Sequence, residues 1–299
     1  MNAKWPDPMS ALYELLFAPF ADFEFMRRAL VGAMALAMAG APVGVFLILR
    51  RMSLTGDAMA HAILPGAAMG YLVAGLSLGA MTAGGMIAGF VVAIASGAVA
   101  RATALREDAS LAAFYLISLA LGVTIVSLKG SNVDLMHVLF GNVLALDDAT
   151  LLLLAAIASL TLLGLAALYR PLVMETVDPL FLASVSRAGA PAQLIFLGLV
   201  VMNLVAGFHA LGTLMAVGLM MLPAASARFW SADISPMVAI SAGFGLASAY
   251  LGLVLSYHTG APSGPAVILM AGAFYFISMV LGPAGGLIRL LRPRRHLEA

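Results

Sequence analysis

The chain has 299 residues, of which 63% are hydrophobic and only 10% charged, with a mean hydropathy of +1.06. So few charges cannot cover a soluble domain of this size, and apolar runs continuous over ~20 residues exclude a membrane barrel, which leaves an all-α polytopic membrane protein. The absence of cysteine rules out disulfides, thiolate zinc sites and thiol catalysis, and the net charge of +1 points to no particular partner.

Met1 to Ser10 lacks the basic, apolar, small-residue plan of a cleavable signal, so the first span is expected to direct insertion. Residues 10–28 carry Glu14, Asp22 and Glu24 among apolar residues and end in Arg27-Arg28, which predicts an amphipathic segment lying at the interface. Spans are then predicted at 29–49, 52–74, 79–100 and 109–128. A stretch over 133–146 reads as a short helix at or dipping into the interface. Further spans follow at 149–168, 192–208, 211–227, 235–257 and 265–281. Eight or nine membrane helices are expected, depending on how residues 10–28 and 133–146 are counted. The division is an interfacial segment (1–28), a transmembrane domain (29–288) and a basic cytoplasmic tail (289–299).

Loop charges set the orientation. With the tail inside and nine alternating spans, Arg50, Arg51, Arg101, Arg106, Arg170, Arg187, Arg228 and four tail arginines face the cytoplasm. Lys4, Arg27, Arg28 and Lys129 remain outside, a bias of 11 to 4 in the direction of the positive-inside rule.

The second span holds the chemistry. Asp57 and His61 are four residues apart, so they share one helical face. At 1.5 Å per residue His61 lies ~15 Å from Arg51, near the midplane of a ~30 Å core, and Asp57 ~9 Å in. An ionisable residue at that depth costs roughly 2.5–3.5 kcal/mol and is a functional hypothesis by default. A carboxylate beside an imidazole is half of a divalent-metal site. The blander reading makes Asp57 a helix cap and His61 a hydrogen-bonding packing residue. Pro65-Gly66 predicts a helix broken just past His61, with a carbonyl freed at or near Ile63. Pro223, in a span of opposite direction, predicts a second broken helix, an arrangement transporters use around a midplane site.

His137, His209 and His258 all fall in outer turns on this topology, where each reads as a solvated histidine and the three together as a possible metal relay at the outer mouth. The 19 methionines are scattered through every span, which suits packing better than a Cu(I) path. No glycine-rich phosphate loop followed by lysine is present, so ATP-driven work would need a motor on another polypeptide. An intramembrane aspartyl protease would need a second buried aspartate that the spans do not supply. A proton-coupled secondary metal carrier, acting alone, remains the alternative.

The stretch from Arg50 to Gly66 resembles the signature of the membrane permeases of ATP-binding-cassette importers for zinc, manganese and iron. Leu139 to Leu144 resembles that family's second motif, Gly212 to Ala227 its third, and Leu255 to Tyr257 with Ala261 to Gly264 its fourth. The resemblance implies a non-enzymatic permease of the bacterial inner membrane, working as a homodimer. It further implies a cytoplasmic ATPase dimer, an extracytoplasmic metal-binding protein and no role for nucleic acid. Asp57 and His61 would be the metal ligands, and Asp178, Ala183 and Gly189 would mark the contact with the ATPase. The site would be doubled across the dimer axis or completed by water and a freed carbonyl. A nitrogen ligand and the outer histidines favour Zn(II) as cargo, with Mn(II) next.

Overall fold

Small residues let the helices of this protein approach closely, and the fold is built on those approaches. The computed structural model describes residues 8–75, 77–128, 143–186 and 188–288, and they form helices with no strand among them. The helices are α1 (Pro8–Leu16), α2 (Ala18–Asp22), α3 (Glu24–Leu49), α4 (Ser53–Ala62), α5 (Leu64–Ala74), α6 (Leu78–Ala102) and α7 (Glu107–Leu128). After a 3₁₀ turn at Val143–Ala145 come α8 (Asp148–Val177), α9 (Pro179–Val185), α10 (Gly189–Leu211), α11 (Thr213–Arg228), α12 (Ile234–Thr259) and α13 (Ser263–Leu281).

Six of these, α3, α6, α8, α10, α12 and α13, are long and apolar enough to cross a membrane, and α7 and α11 are shorter apolar helices. α4 and α5 follow one another through a junction at Ile63. α3 is the central element, packed against α8, α10, α11 and α12, and its window is the most buried along with that of α10.

The expected boundary at residue 28 moves to 23, because α3 begins at Glu24. The two arginines that suggested a boundary are satisfied at the helix end. Arg27 donates to the carbonyls of Phe20 and Ala21, and Arg28 pairs with Glu24 at 2.9 Å and Asp148 at 3.1 Å. α1 and α2 fold against the outer end of α12, where Phe20 stacks on Tyr250 and the Tyr250 hydroxyl donates to the Leu16 carbonyl. The fifth span is longer than expected, since α8 runs helical through Pro171 to Val177. Asp147 caps that helix by accepting from the Thr150 N–H at 3.0 Å, and its hydrogen bonds to Thr150 hold its carboxyl below the usual range. The interfacial helix predicted at 133–146 lies, up to residue 142, outside the described residues, and so does the basic tail.

Candidate metal site

The route into the site begins where α3 ends. Arg51 takes a left-handed conformation (φ 60°), its N–H bonds the Ile48 carbonyl at 3.0 Å and the Met52 N–H reaches back to Leu47 at 2.8 Å. This is a Schellman turn with arginine at the position glycine usually fills, a choice that costs roughly 1–2 kcal/mol. It reverses the chain and starts α4 beside the end of α3.

α4 buries Thr55, Gly56, Ala58, Met59, Ala60 and Ala62 and leaves Leu54, Asp57 and His61 on its open face. Asp57 is 64% exposed and His61 33%, so both are reachable from outside the packed core. His61 Nε2 and Asp57 Oδ1 are 3.8 Å apart. That is too long for a hydrogen bond, and it lies within the ~4 Å that two metal–ligand bonds of about 2.0–2.2 Å can span. The blander reading of Asp57 as a cap does not describe it, because it sits in the second turn of α4, past the orphan N–H groups of the first. Among the described residues no group of three or more His, Cys, Asp or Glu comes together, so no third such side chain joins Asp57 and His61 there.

Neighbouring helices fix the pair. Tyr115 of α7 stacks over His61 with ring centroids 6.3 Å apart. One turn along, the Ser118 hydroxyl donates to the Ala62 carbonyl at 2.9 Å and so satisfies backbone at the α4–α5 junction. Gly56 lets α11 close in, because a Cβ there would stand 2.7 Å from the Met220 methyl carbon. These residues were not singled out from the sequence, although Tyr115 and Ser118 are three apart on a helix and so share the face toward α4.

The junction at Ile63 falls between Ala62 and Leu64, and Pro65 stands in the first turn of α5. The i−4 carbonyl that Pro65 fails to serve is that of His61, not Ile63. The freed carbonyl is expected at or near Ile63; that of Ile63 itself accepts from the Ala67 N–H at 3.1 Å. Gly66 also has a different job from the expected break. It meets Gly84 of α6 so closely that a Cβ on either would overlap the other's carbonyl oxygen. Pro223 does not break its helix, since α11 continues through it to Arg228. Packing holds it there, with α3 so close at Gly44 that a Cβ would overlap the Met220 carbonyl.

A cavity of about 960 Å³ opens beside the pair and reaches Asp57, with Arg50, Arg51 and Arg106 among its lining residues.

Of the three outer histidines expected to form a relay, two lie within the described residues. His209, expected in a solvated turn, lies in the last turn of α10 because a single glycine, Gly212 at φ 84°, suffices to join α10 to α11. It is half-buried, its Nδ1 is 2.9 Å from the Val205 carbonyl, and its buried Nε2 has no hydrogen-bond partner among the described residues. His258 is exposed at the end of α12 with Nε2 2.8 Å from the Leu15 carbonyl, tying α1 down. His137 lies outside the described residues.

The three expected coupling residues fall on or beside the short helix α9. Asp178 caps α9 by accepting from the Phe181 N–H at 2.9 Å, Ala183 lies within α9, and Gly189 begins α10. Gly189 sits against Glu175, whose carboxylate oxygen would be 2.7 Å from an added Cβ. Val177, Leu180, Phe181 and Val185 are exposed around α9, an apolar surface on a helix of seven residues.

Known proteins are similar to this chain in sequence and in fold. The manganese import system permease protein ScaB of Streptococcus parasanguinis is 29% identical over 88% of this chain and 92% of its own length. The manganese transport system membrane protein MntC of Halalkalibacterium halodurans is 30% identical over 94% and 96%. Among solved structures, PsaBC from Streptococcus pneumoniae in complex with Fab matches with a TM-score of 0.82 and 27% identity, covering 94% of this chain and all of that one. The apolar helices and these relatives make the chain a multi-pass protein of the bacterial plasma membrane. Residues 22–282 match the profile of one family throughout, and the chain belongs to the ABC 3 transport family.

Proposed function

We propose that the chain is the permease subunit of an ATP-driven importer of divalent metal, with manganese as the favoured cargo and zinc next. The observation that carries this reading is the Asp57–His61 pair, 3.8 Å apart on the open face of α4, within a fold shared with relatives named for manganese import. Manganese is placed ahead of zinc because the relatives are named for manganese import. Carboxylate and water ligands beside imidazole suit Mn(II).

In this reading metal arrives from an extracytoplasmic binding protein and is held by Asp57 and His61. A second copy of the chain supplies a matching pair, which completes the shell that one copy lacks. The ligands bind deprotonated, so acid weakens capture. A cytoplasmic ATPase dimer docks on the apolar surface around α9, and its closure moves α8 and α10, which flank α9, against the helices that hold the pair.

The test is uptake of manganese into vesicles holding the permease with and without its ATPase partner. Uptake is expected only with the ATPase and ATP, and manganese is expected to outcompete equimolar zinc. Uptake by the permease alone under a proton gradient would establish the secondary carrier instead.

Asp178 gives a separate prediction for the coupling end. Asp178→Ala removes the only side-chain cap recorded on α9 and costs that helix about 1 kcal/mol. Metal-stimulated ATP hydrolysis by the complex is expected to fall several-fold, while metal binding measured by calorimetry stays at the wild-type level. A loss of metal binding in that variant would contradict the division of labour between α9 and α4.

A further inference from the structure

Deep between two of the long apolar helices, away from the metal pair, two polar side chains meet. Asn203 of α10 and Thr161 of α8 are both buried, and the Asn203 Nδ2 donates to the Thr161 hydroxyl at 2.7 Å and to the Leu199 carbonyl at 2.8 Å. A carbonyl can only accept, so the second bond fixes which end of the amide faces α8. Thr161 stands 16 residues before the end of α8 and Asn203 14 after the start of α10. The bond therefore joins the two helices roughly 21–24 Å from α9, the short helix between them. The Asn203 Oδ1 is buried with no hydrogen-bond partner among the described residues. A leucine of similar size would leave no polar atom unserved there, so the amide is kept at a cost to stability.

The far side of α10 leads to the metal helix. Val201 and Val205 lie against α6, where an added Cβ on Gly89 would stand 2.6 Å from Val201 and one on Gly85 3.5 Å from Val205. The same two glycines receive Ile63, which lies 2.7 Å from a Cβ on Gly85 and 3.4 Å from one on Gly89. Ile63 is fully buried at the α4–α5 junction, two residues after His61. Val201, Val205 and Ile63 thus share one bed on α6, and a displacement of α10 reaches Ile63 with no long side chain between to absorb it.

We propose that Asn203 is a positioning residue for transport: its bond to Thr161 locks α8 and α10 into one lever, which carries movement of α9 to Ile63 and so to the helix that holds the metal. Without the bond α10 slides on α8, and the movement is lost in the slide. The inference rests on the reading of α9 as the ATPase contact and of α4 as the metal helix.

The test measures manganese uptake and ATP hydrolysis together on the permease with its ATPase in vesicles. Asn203→Leu and Thr161→Val each remove the bond at nearly unchanged volume. Both are expected to hydrolyse ATP at the wild-type rate and to move roughly three- to tenfold less manganese per ATP, the range for changes along a coupling network. The double variant is expected to lose no more than either single one, because both act through one bond. Thr161→Ser keeps the hydroxyl and is expected to behave as wild type. Thr161→Val carries the test if Asn203→Leu does not fold. Wild-type manganese per ATP in Thr161→Val overturns the proposal, as does an additive loss in the double variant. A lowered unfolding temperature with unchanged manganese per ATP makes the bond a packing contact only, and overturns it too. ATP-independent uptake by the wild-type complex instead overturns the proposed function, and the lever with it.

Discussion

Asp57→Ala is expected to lower metal uptake by at least about 100-fold, since even outer-shell changes at metal sites cost 10–100-fold and, in the proposed site, this one removes a direct ligand. The loss should come without unfolding. Asp57 is 64% exposed, and its only recorded side-chain partner is His61 at 3.8 Å, so truncation opens no cavity in the core. Thermal unfolding of the purified variant is therefore expected to match the wild type. Asp57→Asn keeps the shape and removes the charge, and it should fail nearly as badly because the carboxylate offsets the charge of the ion. His61→Gln retains a polar group of similar reach and should lose less for manganese than for zinc, which prefers nitrogen ligands. Wild-type uptake in Asp57→Ala would remove the site assignment altogether, and with it the reading of α4 as the helix that holds the cargo.

The parts of this arrangement visible in the sequence are those governed by solvent and period. Apolar runs mark the passes because the bilayer demands them, and Asp57 and His61 stand out because lipid penalises both. Contacts made by small residues were invisible. Gly66 looks like part of a helix break beside Pro65, yet its partner is Gly84, eighteen residues away on α6. Nothing in the local sequence encodes that meeting. Pro223 misled for the same reason. A proline in isolation breaks a helix, but α11 is held straight enough by α3, where Gly44 lies on the Met220 carbonyl. His209 misled through loop length, because a turn of one glycine leaves no loop for a histidine to occupy. The partners of His61 could be read only in part: Tyr115 and Ser118 share a face of α7, but which helix that face meets is set by tertiary packing.

Those close approaches carry the second large expectation. Gly66→Ala should destabilise the purified permease by about 2 kcal/mol or more, near the upper part of the range for overpacking. An added Cβ on Gly66 would overlap the Gly84 carbonyl oxygen and come within 2.6 Å of both the Gly84 carbonyl carbon and the Ala88 Cβ. Two of those three atoms are backbone, so no rotamer change relieves the clash and α5 must move away from α6. Gly84→Ala should do the same from the other side, since its Cβ would overlap the Gly66 carbonyl oxygen. Once one substitution has separated the helices, the second meets less resistance. The double variant should then lose clearly less than the sum of the two, a coupling that thermal unfolding of all four proteins measures. Gly272→Ala, inside α13 with open space where its Cβ would go, serves as the control and should stabilise slightly. Because α5 continues from α4 across the Ile63 junction, displacing α5 also shifts the pair that α4 presents. Gly66→Ala is therefore expected to weaken manganese binding as well as stability, whereas Gly272→Ala should leave binding unchanged. Additive losses in the double variant would mean that the two glycines do not meet, and that the packing of α5 on α6 does not set the position of the metal pair.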